Sequence, residues 1–258
     1  MPLKPQIKKI IIYSSIIIVA LTLFSFVETK QQNKLCRHID VLIEEESGNY
    51  FISSTDVVNL LTNSGRDPIV GAPQKKIHLK NLESRIKTNK FVKNCQISSD
   101  LHGDLLIHIN QWRPIARVIN ASGQDIYINE NGDLLPMSER YTARVVTIIS
   151  TNAQKTWLNA IWLRKPENLP YLQLLQFIDK DKFWKAQVAE IDVNSDGEIN
   201  FYPQIGKQII EFGLPENEEI ISEKFKKLSI FYKTIIPKKT WNTYSRVNVA
   251  FKNQIVCE

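Results

Sequence analysis

Residues 91–111, FVKNCQISSDLHGDLLIHINQ, hold two segments in which apolar and polar residues alternate. The first segment covers 91–101 and the second covers 105–111. Such alternation is typical of strands with one buried face. The polar triplet 102–104 between them is typical of a hairpin turn. The sequence therefore predicts a pair of antiparallel strands.

One strand and two amphipathic helices precede this hairpin. Residues 35–43 alternate as a strand, with Leu35 on its apolar face. Ser53 and Asp56 form a capping-box pattern at the start of a first helix. Apolar residues at i, i+3 and i+7 from Leu79 predict a second helix. The order strand, helix, helix, strand, strand predicts a three-stranded sheet with both helices on one face.

The chain has three cysteines, and an odd number excludes complete pairing within one chain. On the alternating pattern, Cys36 lies on the polar face of its strand, whereas Cys95 lies on the apolar face of its own. If both strands belong to one sheet, these two thiols face opposite sides and cannot meet. We expect all three cysteines, including Cys257, to be small and mostly buried residues.

An uncharged apolar segment of eighteen residues, 10–27, lies near the N-terminus. As a helix it is roughly 27 Å long, close to a hydrocarbon core of about 30 Å. A cleavable signal peptide is the alternative, but its apolar region usually has about 7–15 residues and ends at a small-x-small site. No such site follows in 28–34. The segment is therefore predicted to be an uncleaved transmembrane helix, followed by a juxtamembrane linker, 28–34.

The flanking charges predict the orientation of this helix. Three basic residues and no acidic residue precede it: Lys4, Lys8 and Lys9. Residues 1–9 are therefore predicted to be a cytoplasmic tail, and the chain after the span is predicted to be periplasmic. These three lysines supply half of the net charge of +6. The rest of the excess is thinly spread and forms no basic stripe with aromatic residues, so we expect no nucleic-acid partner.

The region 112–258 predicts a second domain. Pro114 lacks a backbone donor and does not suit the middle of a central strand, so a domain junction is placed beside it. Turn signals at 121–124, 131–132 and 196–197 separate alternating segments. The pattern predicts a mostly antiparallel β-domain with flanking helices, and the fold class of the whole chain is α+β.

Two regions of this domain have helical patterns. Residues 153–180 are predicted to be helical, with breaks near Pro166 and Pro170. Residues 216–236 give the most regular helix of the chain. Its predicted apolar face consists of Ile221, Phe225, Leu228, Tyr232 and Ile235. Glutamates at its start complement the helix dipole, as do three lysines in its later turns, Lys226, Lys227 and Lys233.

The sequence has no recognisable catalytic or cofactor-binding signature. Residues 192–200 resemble the start of an EF-hand loop, but Pro203 stands where a bidentate Glu must close the calcium shell. An Asp-Gly hairpin accounts for the same residues. The sequence also lacks zinc-ligand spacing, G-x-S-x-G, a P-loop and a dinucleotide fingerprint. We predict that the protein is not an enzyme and binds neither a metal nor a cofactor.

The chain ends in RVNVAFKNQIVCE, residues 246–258, where Val247, Val249 and Phe251 alternate with other residues. This pattern predicts a terminal strand with a kink near 252–253. At a sheet edge such a strand leaves N–H and C=O groups that accept a strand from another protein. An interior strand or a protected edge fits the same residues equally well.

Four segments together resemble the FtsQ/DivIB family of bacterial division proteins, in particular its members from Bacteroidetes. They are FISSTDVVNLL (51–61), IHLKNLESRIKTNKFVKNCQIS (77–98), LHGDLLIHINQWRPIARV (101–118) and IYINENGDLLPMS (126–138). The order of elements in 35–111 also resembles a POTRA domain. The resemblance covers nearly the whole chain, as tail, single span, POTRA-like domain and C-terminal β-domain.

The resemblance implies a non-enzymatic bitopic scaffold of the divisome, located in the inner membrane at the septum. It implies FtsB/DivIC-like and FtsL-like partners, bound in the periplasm by strand addition at the last strands and through the neighbouring helix, and a link to septal wall synthesis. The POTRA-like domain would contact other division proteins. The implied partner-binding residues are Tyr244, Arg246, Val247, Asn248, Val249, Ala250, Phe251, Lys252, Asn253, Gln254, Ile255 and Val256.

Two other classes of protein stay open at this stage. One is a POTRA-type chaperone or assembly factor for envelope proteins, which normally carries several POTRA repeats or a barrel. The other is a membrane-anchored cell-wall hydrolase, which would need paired carboxylates, one of them beside an apolar pocket.

Overall fold

The computed structural model describes residues 13–22, 34–44, 50–120, 123–149, 157 and 159–258. These residues form two compact units: the first ends at Gln111, and the second comprises the chain from Trp112 onward together with Tyr50 and Phe51. Each unit has its own hydrophobic core.

Only part of the predicted membrane span is described. Residues 13–22 are helical and exposed. Within the described residues, no helix is long and apolar enough to cross a bilayer. The rest of the predicted span, 10–12 and 23–27, lies outside the described residues, as do the predicted tail 1–9 and all of the predicted linker except Lys34.

The first unit is a three-stranded sheet with two helices. Its elements are β1 (Ile39–Glu44), α1 (Ser54–Leu61), a 3-10 turn (Gln74–Lys76), α2 (Leu79–Ile86), β2 (Val92–Ser99) and β3 (Leu105–Gln111). β3 lies in the centre, parallel to β1 and antiparallel to β2. A parallel neighbour requires a long crossover connection, and the two helices lie in the connection after β1. The order of elements is the one that the sequence predicts.

The core of this unit forms from the apolar faces that the sequence pattern predicts. Val57 of α1 and Leu82 of α2 are buried together with Ile107 of β3. The predicted capping box is also present. The Ser53 side chain accepts a hydrogen bond from the Asp56 N–H at 3.2 Å, and the Asp56 carboxylate accepts one from the Ser53 N–H at 2.9 Å.

The predicted strand through Leu35 and Cys36, with Cys36 on its polar face, is wrong, whereas the predicted burial of Cys36 is confirmed. β1 begins only at Ile39, and the residues ahead of it form a loop in which the Cys36 N–H donates to Ala72 O at 3.0 Å. Strand alternation does not apply to a loop, so Leu35 is 52% exposed and Cys36 is buried. Cys36 therefore lies in the same core as Cys95. All three cysteines are free thiols.

The second unit is built on a nine-stranded sheet. Its strands are β4 (Pro114–Val118), β5 (Ile126–Asn129), β6 (Leu134–Pro136), β7 (Val146–Ile148), β8 (Val188–Val193), β9 (Ile199–Pro203), β10 (Ile209–Gly213), β11 (Arg246–Asn248) and β12 (Val256–Cys257). Their order across the sheet is β12-β11-β10-β9-β8-β7-β4-β5-β6. Five neighbouring pairs are antiparallel and three are parallel. The α+β class with a mostly antiparallel sheet is confirmed.

The helices of the second unit lie in the connections between strands. They are α3 (Ala160–Arg164), a 3-10 turn (Pro166–Asn168), α4 (Leu169–Lys180), α5 (Lys182–Gln187) and α6 (Glu218–Ile230), which continues into a π-helical turn (Phe231–Ile235) and a 3-10 turn (Ile236–Lys238). The predicted break near Pro166 is present. Pro170 does not break α4, because it lies in the first helical turn, where an N–H has no partner within the helix.

Pro114 and the predicted turns take positions that their chemistry allows. Pro114 is the first residue of β4, where a missing donor is tolerated. The turn at 131–132 joins β5 to β6, and the turn at 196–197 joins β8 to β9. The turn predicted at 121–124 includes 121–122, which lie outside the described residues.

α6 packs on the sheet through its predicted apolar face. Ile221, Phe225 and Leu228 are buried. The Phe225 ring stacks on Phe177 of α4, with ring centroids 4.5 Å apart, and lies 5.3 Å from the ring of Phe212 of β10. Aromatic pairs contribute about 0.5–1.5 kcal/mol beyond their buried area. These contacts fix α6 beside the C-terminal half of the sheet.

The predicted terminal strand is wrong in length. β11 ends at Asn248, and the chain then turns and returns as β12, antiparallel to β11. Asn253 in this turn has φ of 60°, a left-handed conformation that Asn tolerates better than most residues. The kink expected near 252–253 is therefore part of a complete reversal of the chain.

Thiol alkylation tests the burial of the cysteines in both cores. Burial, followed by the Glu83 charge, raises the pKa of Cys95 to about 11, and burial also raises the pKa of Cys36 and of Cys257. Because the thiolate is the reactive form, these raised pKa values slow alkylation near neutral pH. We expect maleimide to label the partly exposed Cys257 and to reach Cys36 and Cys95 only after unfolding in urea. Peptide mass spectrometry measures the labelling, and equal rates at all three thiols in the folded protein would contradict the described cores.

Candidate functional site

The C-terminal strands form one edge of the nine-stranded sheet. β11 pairs with β10 on one side, where Val247 is opposite Ile210, and with β12 on the other, where Val247 is opposite Cys257. β12 is last in the order, so within the described residues it has a neighbouring strand on one side only. The sequence left open whether the terminal strand is an interior strand or an edge of the sheet. In the structure, β11 is an interior strand and β12 is the edge.

The hydrogen bonds between β11 and β12 determine which backbone groups of β12 point outward. The Glu258 N–H donates to Arg246 O at 3.0 Å, and the Arg246 N–H donates to Glu258 O at 3.2 Å. In an antiparallel pair, the adjacent residue directs its N–H and C=O to the opposite side of the strand. The N–H and C=O of Cys257 therefore point away from β11, where an added strand would bind them.

A buried lysine of α6 holds the segment between β11 and β12. The Lys227 ammonium group donates to Val249 O at 2.8 Å and to Phe251 O at 2.7 Å. The Glu223 carboxylate lies 3.8 Å from the same Nζ and balances its charge in part. A buried ammonium group is unfavourable unless it is hydrogen-bonded, so it strongly favours the conformation that provides these two carbonyls. The backbone of 249–251 is thereby attached to α6.

Close packing on β10 restricts the same segment. The Val249 N–H donates to Glu211 O at 3.0 Å, and the Ala250 N–H donates to the Asn248 side-chain oxygen at 2.9 Å. Gly213 has φ of 71°, and a Cβ atom at this position would lie 2.9 Å from the Cβ of Ala250. Only glycine satisfies both the backbone conformation and the close approach.

A second buried lysine fixes the start of α6. The Lys224 ammonium group donates to Leu214 O at 2.8 Å and lies 5.0 Å from the centroid of the Phe212 ring. Burial lowers the pKa of Lys224, and the nearby Glu216 carboxylate acts in the opposite direction. Lys224 therefore holds the connection between β10 and α6, whereas Lys227 holds the connection between β11 and β12.

Glu211 joins β10 to β11 on the face of the sheet opposite to Val247. Its carboxylate accepts hydrogen bonds from the Arg246 guanidinium and, at 2.6 Å, from the Asn248 side chain. The hydrogen bond to Glu211 raises the pKa of Arg246. The charge of Arg246 is thus balanced within the sheet.

The predicted partner-binding residues divide into two groups. Val247 and Val249 are fully buried, and Tyr244 and Ile255 pack partly against the core. These four side chains maintain the fold. The remaining residues of the predicted set are exposed or half-buried: Arg246, Asn248, Ala250, Phe251, Lys252, Asn253, Gln254 and Val256.

The resemblance implied a role for the helix next to the last strands, but sequence reasoning did not identify Lys227 and Ile230 of α6 as the residues that lie at this edge. Lys227 lies in the last turn of α6, as the predicted dipole role requires, and its ammonium group also binds two carbonyls 22 and 24 residues away along the chain. Ile230 is three residues after Lys227, on the same side of the helix, and is 54% exposed. Phe251 is 50% exposed and Val256 is 37% exposed. One sequence feature could have indicated an exposed apolar surface on α6, because Ile230 is an apolar residue outside the predicted apolar face.

No group of three or more His, Cys, Asp or Glu side chains in the described ranges is arranged to hold a metal ion. The residues that resemble an EF-hand loop form a tight turn instead. The Asn194 side-chain oxygen accepts hydrogen bonds from the N–H groups of Asp196 and Glu198, both at 2.9 Å. Asn194 thus stabilises the hairpin between β8 and β9.

The two units correspond to two domains, a POTRA-like domain and a C-terminal β-domain. A family model for a POTRA-like domain matches residues 34–110. The model described as FtsQ/DivIB, C-terminal related, matches residues 113–258, which is more than half of the 258 residues. The chain belongs to the FtsQ/DivIB family, and the resemblance seen in the sequence is confirmed. None of the curated proteins compared with the chain matches it.

Family membership gives the general function. POTRA and FtsQ/DivIB domains are non-catalytic, and together they indicate a scaffold protein of bacterial cell division. The family also indicates division proteins as partners.

The two buried lysines of α6 provide a matched test of the edge. In Lys227→Met, Val249 O and Phe251 O lose their donor, so we expect hydrogen exchange in 249–256 to accelerate about tenfold or more. In Lys224→Met, an equally buried ammonium group is lost at Leu214 O, and we expect 249–256 to keep the wild-type rate. Hydrogen–deuterium exchange with mass spectrometry measures both variants. Equal acceleration of 249–256 in the two variants would show that Lys227 has no specific role at the edge.

Proposed function

We propose that this protein is a non-enzymatic bitopic scaffold that binds FtsB/DivIC-like and FtsL-like division proteins in the periplasm by strand addition at β12. The main support is the open edge of β12, where the N–H and C=O of Cys257 point away from β11. An incoming strand obtains its register and main-chain hydrogen bonds from this edge. The complex would link assembly of the division site to septal wall synthesis.

Side chains must supply most of the affinity, because β12 has only two residues. Few main-chain hydrogen bonds form along so short a strand, and each contributes only about 0.5–1.5 kcal/mol net. Phe251, Ile230 and Val256 present apolar surface around the edge. Full burial of a Phe side chain contributes about 1.5–3 kcal/mol, so Phe251 is the expected anchor of the interface.

The proposal includes a complete topology for the chain. Residues 1–9 form a cytoplasmic tail, 10–27 cross the inner membrane, and 28–34 link the span to the periplasmic domains. Residues 35–111 form the POTRA-like domain, which contacts other division proteins, and 112–258 form the β-domain that holds the FtsB/DivIC-like and FtsL-like partners. The protein concentrates at the division septum.

One cavity of the second unit gives no support to the hydrolase alternative. This cavity has a volume of about 790 Å³ and is lined by Arg144, Lys182, Lys185 and a single carboxylate, that of Glu190. Glycoside hydrolysis requires a pair of carboxylates about 5–9.5 Å apart. A POTRA-type assembly factor remains the second alternative, and the same binding experiment separates it from the scaffold.

Substitution of Phe251 tests strand addition directly. The full-length chain, purified in detergent, is mixed with the ectodomain of the FtsB/DivIC-like protein from the same genome. Phe251→Asp places a charge in the apolar contact, so we expect the affinity to fall at least about tenfold. Phe183→Asp is the matched control, because Phe183 is similarly exposed at 46% but lies on α5, outside the last two strands and the turn between them.

Biolayer interferometry measures the dissociation constants, and thermal unfolding verifies that both variants are folded. The proposal predicts weak binding for Phe251→Asp and wild-type binding for Phe183→Asp. Wild-type affinity in a folded Phe251→Asp variant would refute strand addition at this edge and leave the family membership intact.

A further inference from the structure

The chain between Glu223 and Glu258, which includes β11 and β12, contains no acidic residue. Between positions 224 and 257, thirty-four residues, the sequence has eight basic residues and neither Asp nor Glu. The eight are Lys224, Lys226, Lys227, Lys233, Lys238, Lys239, Arg246 and Lys252. In the whole chain, by contrast, 33 basic residues are accompanied by 27 acidic ones.

Three of these basic residues are used within the fold. Lys224 and Lys227 are buried on backbone carbonyls, and Arg246 is paired with Glu211. The other five are exposed, and none has an ion-pair partner among the described residues: Lys226, Lys233, Lys238, Lys239 and Lys252. Positive charge therefore exceeds negative charge on this part of the surface, where Glu223 and Glu258 are the flanking acids.

Three of the exposed lysines lie near the exposed apolar residues of the edge. Lys252 follows Phe251 in the turn between β11 and β12. Lys226 precedes Ile230 by four residues, so the two lie on the same side of α6. Lys233 follows Ile230 by three residues. The apolar residues are thus flanked by positive charge on the helix and on the turn.

We propose, on the basis of the function proposed above, that this surface selects a partner segment rich in Asp and Glu that also carries apolar residues. The apolar residues of the partner would contact Ile230 and Phe251, and its carboxylates would face Lys226, Lys233 and Lys252. Complementary charge of this kind increases the association rate and excludes basic segments, whereas each exposed ion pair adds little affinity. An acidic protein segment is favoured over an anionic lipid surface. A protein segment would use the lysines, the exposed apolar residues and the strand edge, whereas a lipid surface would give the strand edge no role.

The test compares two triple variants of the full-length protein with the same change in net charge. The first is Lys226→Gln, Lys233→Gln and Lys252→Gln. The control is Lys180→Gln, Lys182→Gln and Lys207→Gln, which removes three exposed lysines that lie outside the C-terminal segment. The association rate with the FtsB/DivIC-like ectodomain is measured at about 0.05 M and about 0.5 M salt, which differ strongly in charge screening.

The proposal predicts that the association rate of the wild-type protein falls with salt. It also predicts that the first triple variant associates about tenfold more slowly at low salt, whereas the control stays within about twofold of the wild type. Equal rates for the two triple variants would overturn it. So would an association rate that does not depend on salt.

Two further outcomes separate this inference from the claims around it. If the wild type binds the ectodomain and Phe251→Asp abolishes binding, but the first triple variant binds like the wild type, strand addition stands and the acidic-partner inference fails. If the first triple variant binds the ectodomain normally but no longer sediments with vesicles of phosphatidylglycerol and phosphatidylcholine, the lysines serve the lipid surface and the inference also fails. A wild-type chain that does not bind the ectodomain at all would overturn the proposed function.

Discussion

The hydrogen bonds from the Lys227 ammonium group to Val249 O and Phe251 O determine how the chain ends. A carbonyl that faces α6 is not available to a neighbouring strand, so β11 stops at Asn248 and the chain turns before it pairs again as β12. The strand at the edge of the sheet, the exposure of Phe251 and the outward direction of the Cys257 backbone groups all follow from this turn. A buried charge therefore shapes the surface on which the proposed function depends.

The same interaction couples the helix to the sheet. α6 is fixed by aromatic packing of Phe225 against Phe177 and Phe212, and its two buried lysines then hold the connections at Leu214 and at 249–251. Burial of an ammonium group is tolerated because carbonyl oxygens replace the lost water. The edge is consequently hydrogen-bonded to α6 at 249–251, whereas Phe251 and Ile230 are exposed. In the proposed complex such an arrangement lowers the ordering cost of binding, because these contacts are present before the partner binds.

Local patterns were sufficient to predict much of the fold. Alternation predicted the strand pairs, the capping box predicted the start of α1, and the 3.6-residue repeat predicted the buried face of α6. The errors arose where distant residues decide the outcome. Cys36 is buried because its backbone bonds to Ala72 in a loop, which no local pattern around Cys36 indicates.

The sequence predicted where the candidate site lies in the chain, but it did not predict which of its residues are exposed or where its strands end. Alternation in 246–251 correctly identified a strand near the end of the chain, but it could not distinguish the buried Val247 and Val249 from residues available to a partner. The alternation pattern also extended the predicted strand past Asn248, because a sequence pattern does not show that Lys227 binds Val249 O and Phe251 O. Helix periodicity likewise gave the buried face of α6 and missed the role of Ile230, which depends on what lies beside the helix.

Disulfide trapping at the native Cys257 tests the central claim, that a partner strand pairs with β12. Single cysteines are introduced one at a time along the FtsB/DivIC-like ectodomain, and each variant is oxidised in the presence of the full-length protein. Strand addition predicts trapping at alternate positions of one short segment, because side chains on a strand alternate between its two faces. Trapping at every third or fourth position would indicate a helix instead, and that result, or no trapping with Cys257 in a complex that still forms, would contradict the account.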